Sequence, residues 1–119
     1  MVETVRERIP DGAEEGASYY PVFLDVRGRT ALVVGGGAVA ERTAAGLARA
    51  GACVRVVAPT VTAGLEAPAR AGPVHLRRRA FRQNDPEGVF LVYAATHAAA
   101  VTAAVYAAAE ARRAPAPVL

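Results

Sequence analysis

At 119 residues, 53% of them apolar, the chain can build one domain with a real core and is too apolar to be disordered as a whole. Its net charge of +3 is carried by arginine alone, without lysine, and the arginines are scattered among acids with no interleaved aromatics, which argues against a nucleic-acid surface. No run approaches the roughly 20 apolar residues of a membrane span, no apolar N-terminal stretch marks a secretory signal, and one cysteine, Cys53, excludes an internal disulfide or multi-cysteine metal site.

In chain order, residues 1–18 are polar, with Pro10-Asp11-Gly12 as a turn signal and no apolar period, and read as a flexible tail. A short apolar segment, Tyr19 to Val26, closes at Arg27-Gly28-Arg29. Thr30 to Val34 reads as a first strand. It runs into Gly35-Gly36-Gly37 and then into a helix from Ala38 to Ala50, with Val39, Ala40, Thr43, Ala44, Leu47 and Ala48 at helical spacing. Gly51 stands where a helix-terminating glycine belongs. Cys53 to Val57 is a second strand, with Cys53 expected as a small buried hydrophobe. A helical segment from Thr62 to Ala71 contains Pro68 and should be short or kinked.

A third strand, Val74 to Arg79, is followed by the turn Asp85-Pro86-Glu87-Gly88. The fourth, Val89 to Ala94, is apolar throughout, as in a strand covered on both faces. An alanine-rich helix from Ala98 to Arg113 has Val101, Val105 and Ala108 along one face, and Val118-Leu119 reads as the start of a fifth strand. Strands alternating with helices imply an α/β fold with a doubly wound parallel sheet in a single domain.

The chemistry gathers at the glycine turn. Gly35, Gly37 and Ala40 form G-x-G-x-x-A between a strand and a helix, the context in which such a turn presents backbone N–H groups to a pyrophosphate. Gly35 would make the turn, Gly37 would admit the phosphates, and Ala40 would let the helix approach the strand. The acidic residue usual at the end of the second strand is missing, since Val57-Ala58-Pro59-Thr60 offers only the Thr60 hydroxyl. From these residues alone NAD and NADP are not separable.

His97 reads as a polar residue at a helix start, with general-base chemistry as the alternative. His75 reads as a surface or packing residue. Arg77-Arg78-Arg79 alternate faces and cannot all meet one ligand, so they read as a solvated edge. Asp25 reads as a turn-former, and Glu41 and Arg42 as a surface pair. The two histidines, far apart and without acids at ligand spacing, make no metal site.

Tyr20-Pro21-Val22-Phe23-Leu24-Asp25-Val26, then Val33-Val34-Gly35-Gly36-Gly37-Ala38-Val39-Ala40-Glu41-Arg42, Ala50-Gly51-Ala52, Val56-Val57-Ala58-Pro59 and Ala94-Ala95-Thr96 follow in an order and spacing that resemble the N-terminal domain of siroheme synthase, the precorrin-2 dehydrogenase/sirohydrochlorin ferrochelatase family. The resemblance covers about residues 19–119 and implies a Rossmann-type NAD-binding domain. It implies an NAD-dependent dehydrogenase that oxidises the tetrapyrrole precorrin-2 to sirohydrochlorin in siroheme biosynthesis, while the single cysteine, the missing signal and the lack of a membrane-length run point to the cytoplasm. It further implies a homodimer and Fe2+ as a chelation substrate in bifunctional members; the charge distribution and run lengths already point to neither nucleic acid nor membrane as a partner. Carried onto this sequence, the glycine turn of Gly35, Gly36 and Gly37 with the Ala38-Val39 backbone would meet the pyrophosphate. Pro59 and Thr60 would line the adenosine side, and Thr96 would lie near the nicotinamide half.

Three departures accompany the resemblance. The family's segment after the fifth strand, carrying its proposed acid/base aspartate together with the dimerisation and tetrapyrrole-covering regions, would begin just past Leu119. His97-Ala98 stand where aspartates are frequent, and Pro68 interrupts a usually continuous helix. The alternative is therefore a non-catalytic or truncated dinucleotide-binding module. An unrelated dehydrogenase or nucleotide-sensing domain would share the glycine turn but leave the Tyr20 to Asp25 opening unexplained.

Overall fold

A computed structural model describes residues 20–112 together with 115 and 116. Four strands and three helices follow in the order β1 (Thr30–Val34), α1 (Ala38–Arg49), β2 (Cys53–Val57), α2 (Ala63–Ala71), β3 (Val74–Arg77), β4 (Leu91–Ala94) and α3 (Ala99–Ala111). The strands pair only in parallel, in the order β3-β2-β1-β4. This is the doubly wound Rossmann-type arrangement expected, with the chain reversing its direction of growth between β1 and β4.

Two apolar layers explain why the sheet is sandwiched. Ala31, Val33, Val54, Val56, Val74, Leu91 and Tyr93 share one face and pack with Ala40, Ala44 and Leu47 of α1 and Leu65 of α2. Leu32, Val34, Val57, Val92 and Ala94 point the other way, against Val105 and Ala109 of α3. β1 is buried along Ala31–Val34 and β4 along its whole length, so both read as continuous apolar runs. Burying each such valine or leucine is worth roughly 1.5–3 kcal/mol.

β2 and β3 are different, because α3 packs mainly on β4, and on that face Val57 at the end of β2 joins its apolar layer. The other residues on that face are Cys53 and Arg55, with His75 beside Arg55 in register, and Arg77. Cys53 is accordingly exposed, not the buried hydrophobe its apolar neighbours suggest. It opens β2 at the end of that face away from Val57 and α3.

Local signals set the element ends. Gly51 has φ of +92°, its N–H donates to the Ala48 carbonyl, and the Ala52 N–H donates to the Leu47 carbonyl, closing α1 with a Schellman pair after Arg49. α2 runs unbroken through Pro68 for nine residues and stops at Gly72, whose φ is +114°. β3 is shorter than its apolar pattern, ending at Arg77, because Arg79 turns back to Asp85. β4 begins at Leu91, because the Val89 N–H is taken by the Pro86 carbonyl in the preceding turn. α3 starts at Ala99 with Ala98 as its N-cap.

On the outer edge of β4, the Val92 N–H donates to the Pro115 carbonyl at 2.9 Å, and Ala116 packs on the α3 layer. The expected tail over residues 1–18, and Val118-Leu119 of the expected fifth strand, lie outside the described residues. At the start of the described chain Val26 is buried, whereas Tyr20 and Phe23 are exposed.

The β3–β4 connection is held by Asp85. Its carboxylate accepts two hydrogen bonds from the Arg79 guanidinium at 2.7 and 3.0 Å and one from the Arg82 N–H at 2.7 Å. Burial pushes the Asp85 carboxyl up, but the Arg79 and Arg82 bonds outweigh it and hold the group below the usual 3.8. Asp85→Asn should therefore lower stability by about 1.5–3 kcal/mol at pH 7, the worth of hydrogen bonds to a charged group. A folded-state pKa that is depressed means the contribution is present above about pH 4 and lost as pH falls further. Urea unfolding of both proteins at pH 7 and at pH 3 should show the gap between them shrinking in acid.

Candidate functional site

Three loops meet at the carboxyl ends of the strands, around the point where strand order reverses. They are residues 35–37 with the first turn of α1, residues 58–62 after β2, and residues 95–98 after β4. Their closeness depends on glycine. Gly35 has φ of +142°, and a Cβ there would collide with the Ala95 carbonyl oxygen. A Cβ on Gly36 would collide with the Thr60 carbonyl oxygen. Hydrogen bonds complete the join: Gly35 N–H to Val57 carbonyl at 3.0 Å, Ala95 N–H to Val34 carbonyl at 2.7 Å, and Thr62 N–H to Gly36 carbonyl at 3.0 Å.

Gly37 is unlike its neighbours. A Cβ placed on it meets nothing within 4 Å, so the space beside it is open. It is also the N-cap of α1, and no side chain caps that end. The first bond of the helix runs from the Glu41 N–H to the Gly37 carbonyl at 2.9 Å, which leaves the Ala38, Val39 and Ala40 N–H groups ahead of it. Aligned N–H groups with the positive end of the helix dipole, beside a position free of Cβ, suit a phosphate or pyrophosphate. Ala40 is fully buried against the sheet, the close helix–strand contact expected of it.

Gly35, Gly36, Gly37, Ala38 and Val39 thus lie on one rim with Pro59, Thr60 and Thr96. Pro59 and Thr60 are exposed, and Thr96 is half-buried. The Thr96 hydroxyl oxygen accepts the Ala98 N–H at 3.2 Å, and His97 is exposed in the same loop.

Other expected features divide. Asp25 accepts the Arg27 N–H and two guanidinium bonds, at 2.8–3.2 Å, in a local turn that holds its carboxyl well below the usual range. The three consecutive arginines diverge: Arg77 is exposed, Arg78 pairs with Glu66 at 3.0 Å, and Arg79 pairs with Asp85. A cleft of about 560 Å³ runs along the outer edge of β3, lined among others by Arg55, Arg70, His75 and Arg77. None of the rim residues lines it. Charge along an unpaired strand edge keeps that edge from pairing with other chains, and that explanation suffices here. Among the described residues no three His, Cys, Asp or Glu side chains gather as a metal site.

Glu41 does not pair with Arg42. Its carboxylate accepts the Thr62 hydroxyl at 2.5 Å, bridging α1 to the loop after β2. Spacing could not reveal a contact across 21 residues; the one trace is Gly64, a glycine early in a helix with no turn to make.

Several known proteins resemble this chain. Siroheme synthase 1 of Yersinia enterocolitica is 48% identical over 94 residues, which are 79% of this chain and 20% of that protein. Siroheme synthase of Pseudomonas entomophila is 46% identical over 97 residues, 82% of this chain and 21% of that protein. The chain spans about a fifth of the length of these curated relatives. A solved structure titled SirC, precorrin-2 dehydrogenase, superposes with a TM-score of 0.70 at 39% identity, covering 74% of this chain and 44% of that one. Residues 22–119 match the family model described as "Putative NAD(P)-binding", and the chain belongs to that family.

Proposed function

We propose that the rim binds NAD and that the chain is the cofactor-binding part of a precorrin-2 dehydrogenase, oxidising precorrin-2 to sirohydrochlorin on the way to siroheme. The observation that carries the reading is the division of labour in the glycine turn. Gly35 and Gly36 are needed by the protein's own packing, whereas Gly37 opens on empty space beside uncapped helix N–H groups. The relatives add the chemistry, since their names combine siroheme synthesis with precorrin-2 dehydrogenation. The choice of NAD over NADP rests on the family resemblance that the Tyr20 to Asp25 opening and Gly-Gly-Gly-x-Val-Ala-x-Arg carry together.

In this reading the Ala38 and Val39 N–H groups hold the pyrophosphate, Pro59 and Thr60 border the adenosine, and Thr96 stands on the nicotinamide side. The nicotinamide supplies the hydride acceptor, and the protein supplies position and electrostatics. The loop after β4 carries no carboxylate, only Thr96, His97 and Ala98, which favours a second reading: a module that binds the dinucleotide while the proton-handling group lies elsewhere.

Calorimetric titration should show saturable NAD⁺ binding, about tenfold or more tighter than NADP⁺, a difference of about 1.4 kcal/mol. Formation of reduced nicotinamide on adding precorrin-2 separates the two readings, and a folded chain that binds neither dinucleotide overturns both. The glycines should also separate. Gly37→Val, at φ of −98° and in open space, should cost no more than about 1 kcal/mol of stability, the N-cap preference for glycine, and weaken NAD⁺ at least about tenfold. Gly36→Ala should instead cost about 1–3 kcal/mol of stability, because its Cβ strikes the Thr60 backbone.

A further inference from the structure

The loop after β2 carries Pro59 and Thr60 but has little of its own to fix it, since both are exposed and Thr62 makes no side-chain cap on α2. A threonine at a helix N-cap ordinarily turns its hydroxyl to the helix's own N–H groups. Here the Thr62 hydroxyl is donated to the Glu41 carboxylate instead, in a short charge-assisted bond that is partly buried. A second feature independently marks this contact as built. Gly64, in the first turn of α2, lies so close to the Glu41 carboxylate that any Cβ there would displace it. Glycine costs such a position roughly 1 kcal/mol of helix propensity relative to alanine. Room for Glu41 is the local feature that offsets it.

Glu41 stands one turn into α1, whose leading N–H groups form the pyrophosphate end of the rim. The bond to Thr62 therefore ties that end to the loop on the adenosine side, alongside the Thr62 N–H bond to the Gly36 carbonyl. We infer that Glu41 is a positioning residue: through Thr62 it clamps the loop after β2 onto the glycine turn and so sets the width of the adenosine half of the cofactor site. The inference rests on the proposed reading of the rim as a dinucleotide site. Glu41 itself touches no cofactor in this account, and acts by fixing where Pro59 and Thr60 stand.

The test measures NAD⁺ affinity and melting temperature for the wild-type chain and for Glu41→Ala, Glu41→Gln, Thr62→Val, Thr62→Ser and Gly64→Ala. Glu41→Ala and Thr62→Val should each weaken NAD⁺ about tenfold, and the double variant no further, because both remove one bond. Glu41→Gln and Thr62→Ser keep an acceptor and a donor and should stay within about threefold of wild type. Gly64→Ala is the sharpest arm. It improves helix propensity and pushes aside only the mobile end of Glu41, so its melting temperature should hold or rise while NAD⁺ weakens. A purely structural bond would give the opposite split, with lowered melting temperatures and unchanged affinity in the folded protein, and would overturn the inference. Independent, additive losses in Glu41→Ala and Thr62→Val would overturn it too. If Glu41→Ala does not fold, the near-isosteric Thr62→Val and Gly64→Ala decide alone. A wild-type chain that binds no dinucleotide overturns the underlying reading, and this inference with it.

Discussion

Two carbonyl oxygens pressed against two glycines hold the rim of this protein together. The Ala95 oxygen lies over Gly35 and the Thr60 oxygen over Gly36, each in the volume a Cβ would take. Three loops from three different strands converge only because that volume is free. The remaining geometry follows from their convergence: the direction in which α1 leaves the sheet, the open side of Gly37, and the placing of Pro59, Thr60 and Thr96 around one opening.

The core below is arranged to keep that rim rigid. β1, at the centre of the order, is covered on both faces, and α1 packs Ala40, Ala44 and Leu47 directly on the sheet. Alanine at position 40 matters for the same reason as the glycines, since a larger side chain would lift the helix whose N–H groups face the opening. Further out the packing relaxes. β3 is an edge strand, its neighbour Arg55 is only half-buried, and the face beyond α3 is polar.

Much of this was legible in the sequence because the relevant signals are local. The alternation of strands and helices, the two-sided apolar run of β4, the glycine after α1 and the small residue at position 40 each state a short-range constraint, and each appears as expected. What escaped depends on which elements lie over which. Cys53 has apolar neighbours, but whether its face is covered depends on how far α3 reaches. Glu41 and Arg42 look like a surface pair until the loop after β2 folds over α1 and brings Thr62 to the carboxylate. The starts of β4 and α3 were set by turn hydrogen bonds rather than by apolar pattern. Likewise, all three glycines fit a phosphate-binding turn, and only the surrounding backbone distinguishes the two that serve packing from the one that faces outward.

The dinucleotide proposed for the opening above Gly37 can be sought residue by residue. Titrating ¹⁵N-labelled protein with NAD⁺ and following backbone amide resonances tests for it at the residues concerned. Saturable shifts should concentrate at Gly36, Gly37, Ala38, Val39, Thr60 and Thr96, with Arg55, His75 and Arg77 beside the β3 cleft unmoved. Shifts confined to the β3 cleft, or none in a folded sample at saturating NAD⁺, would contradict the proposed site.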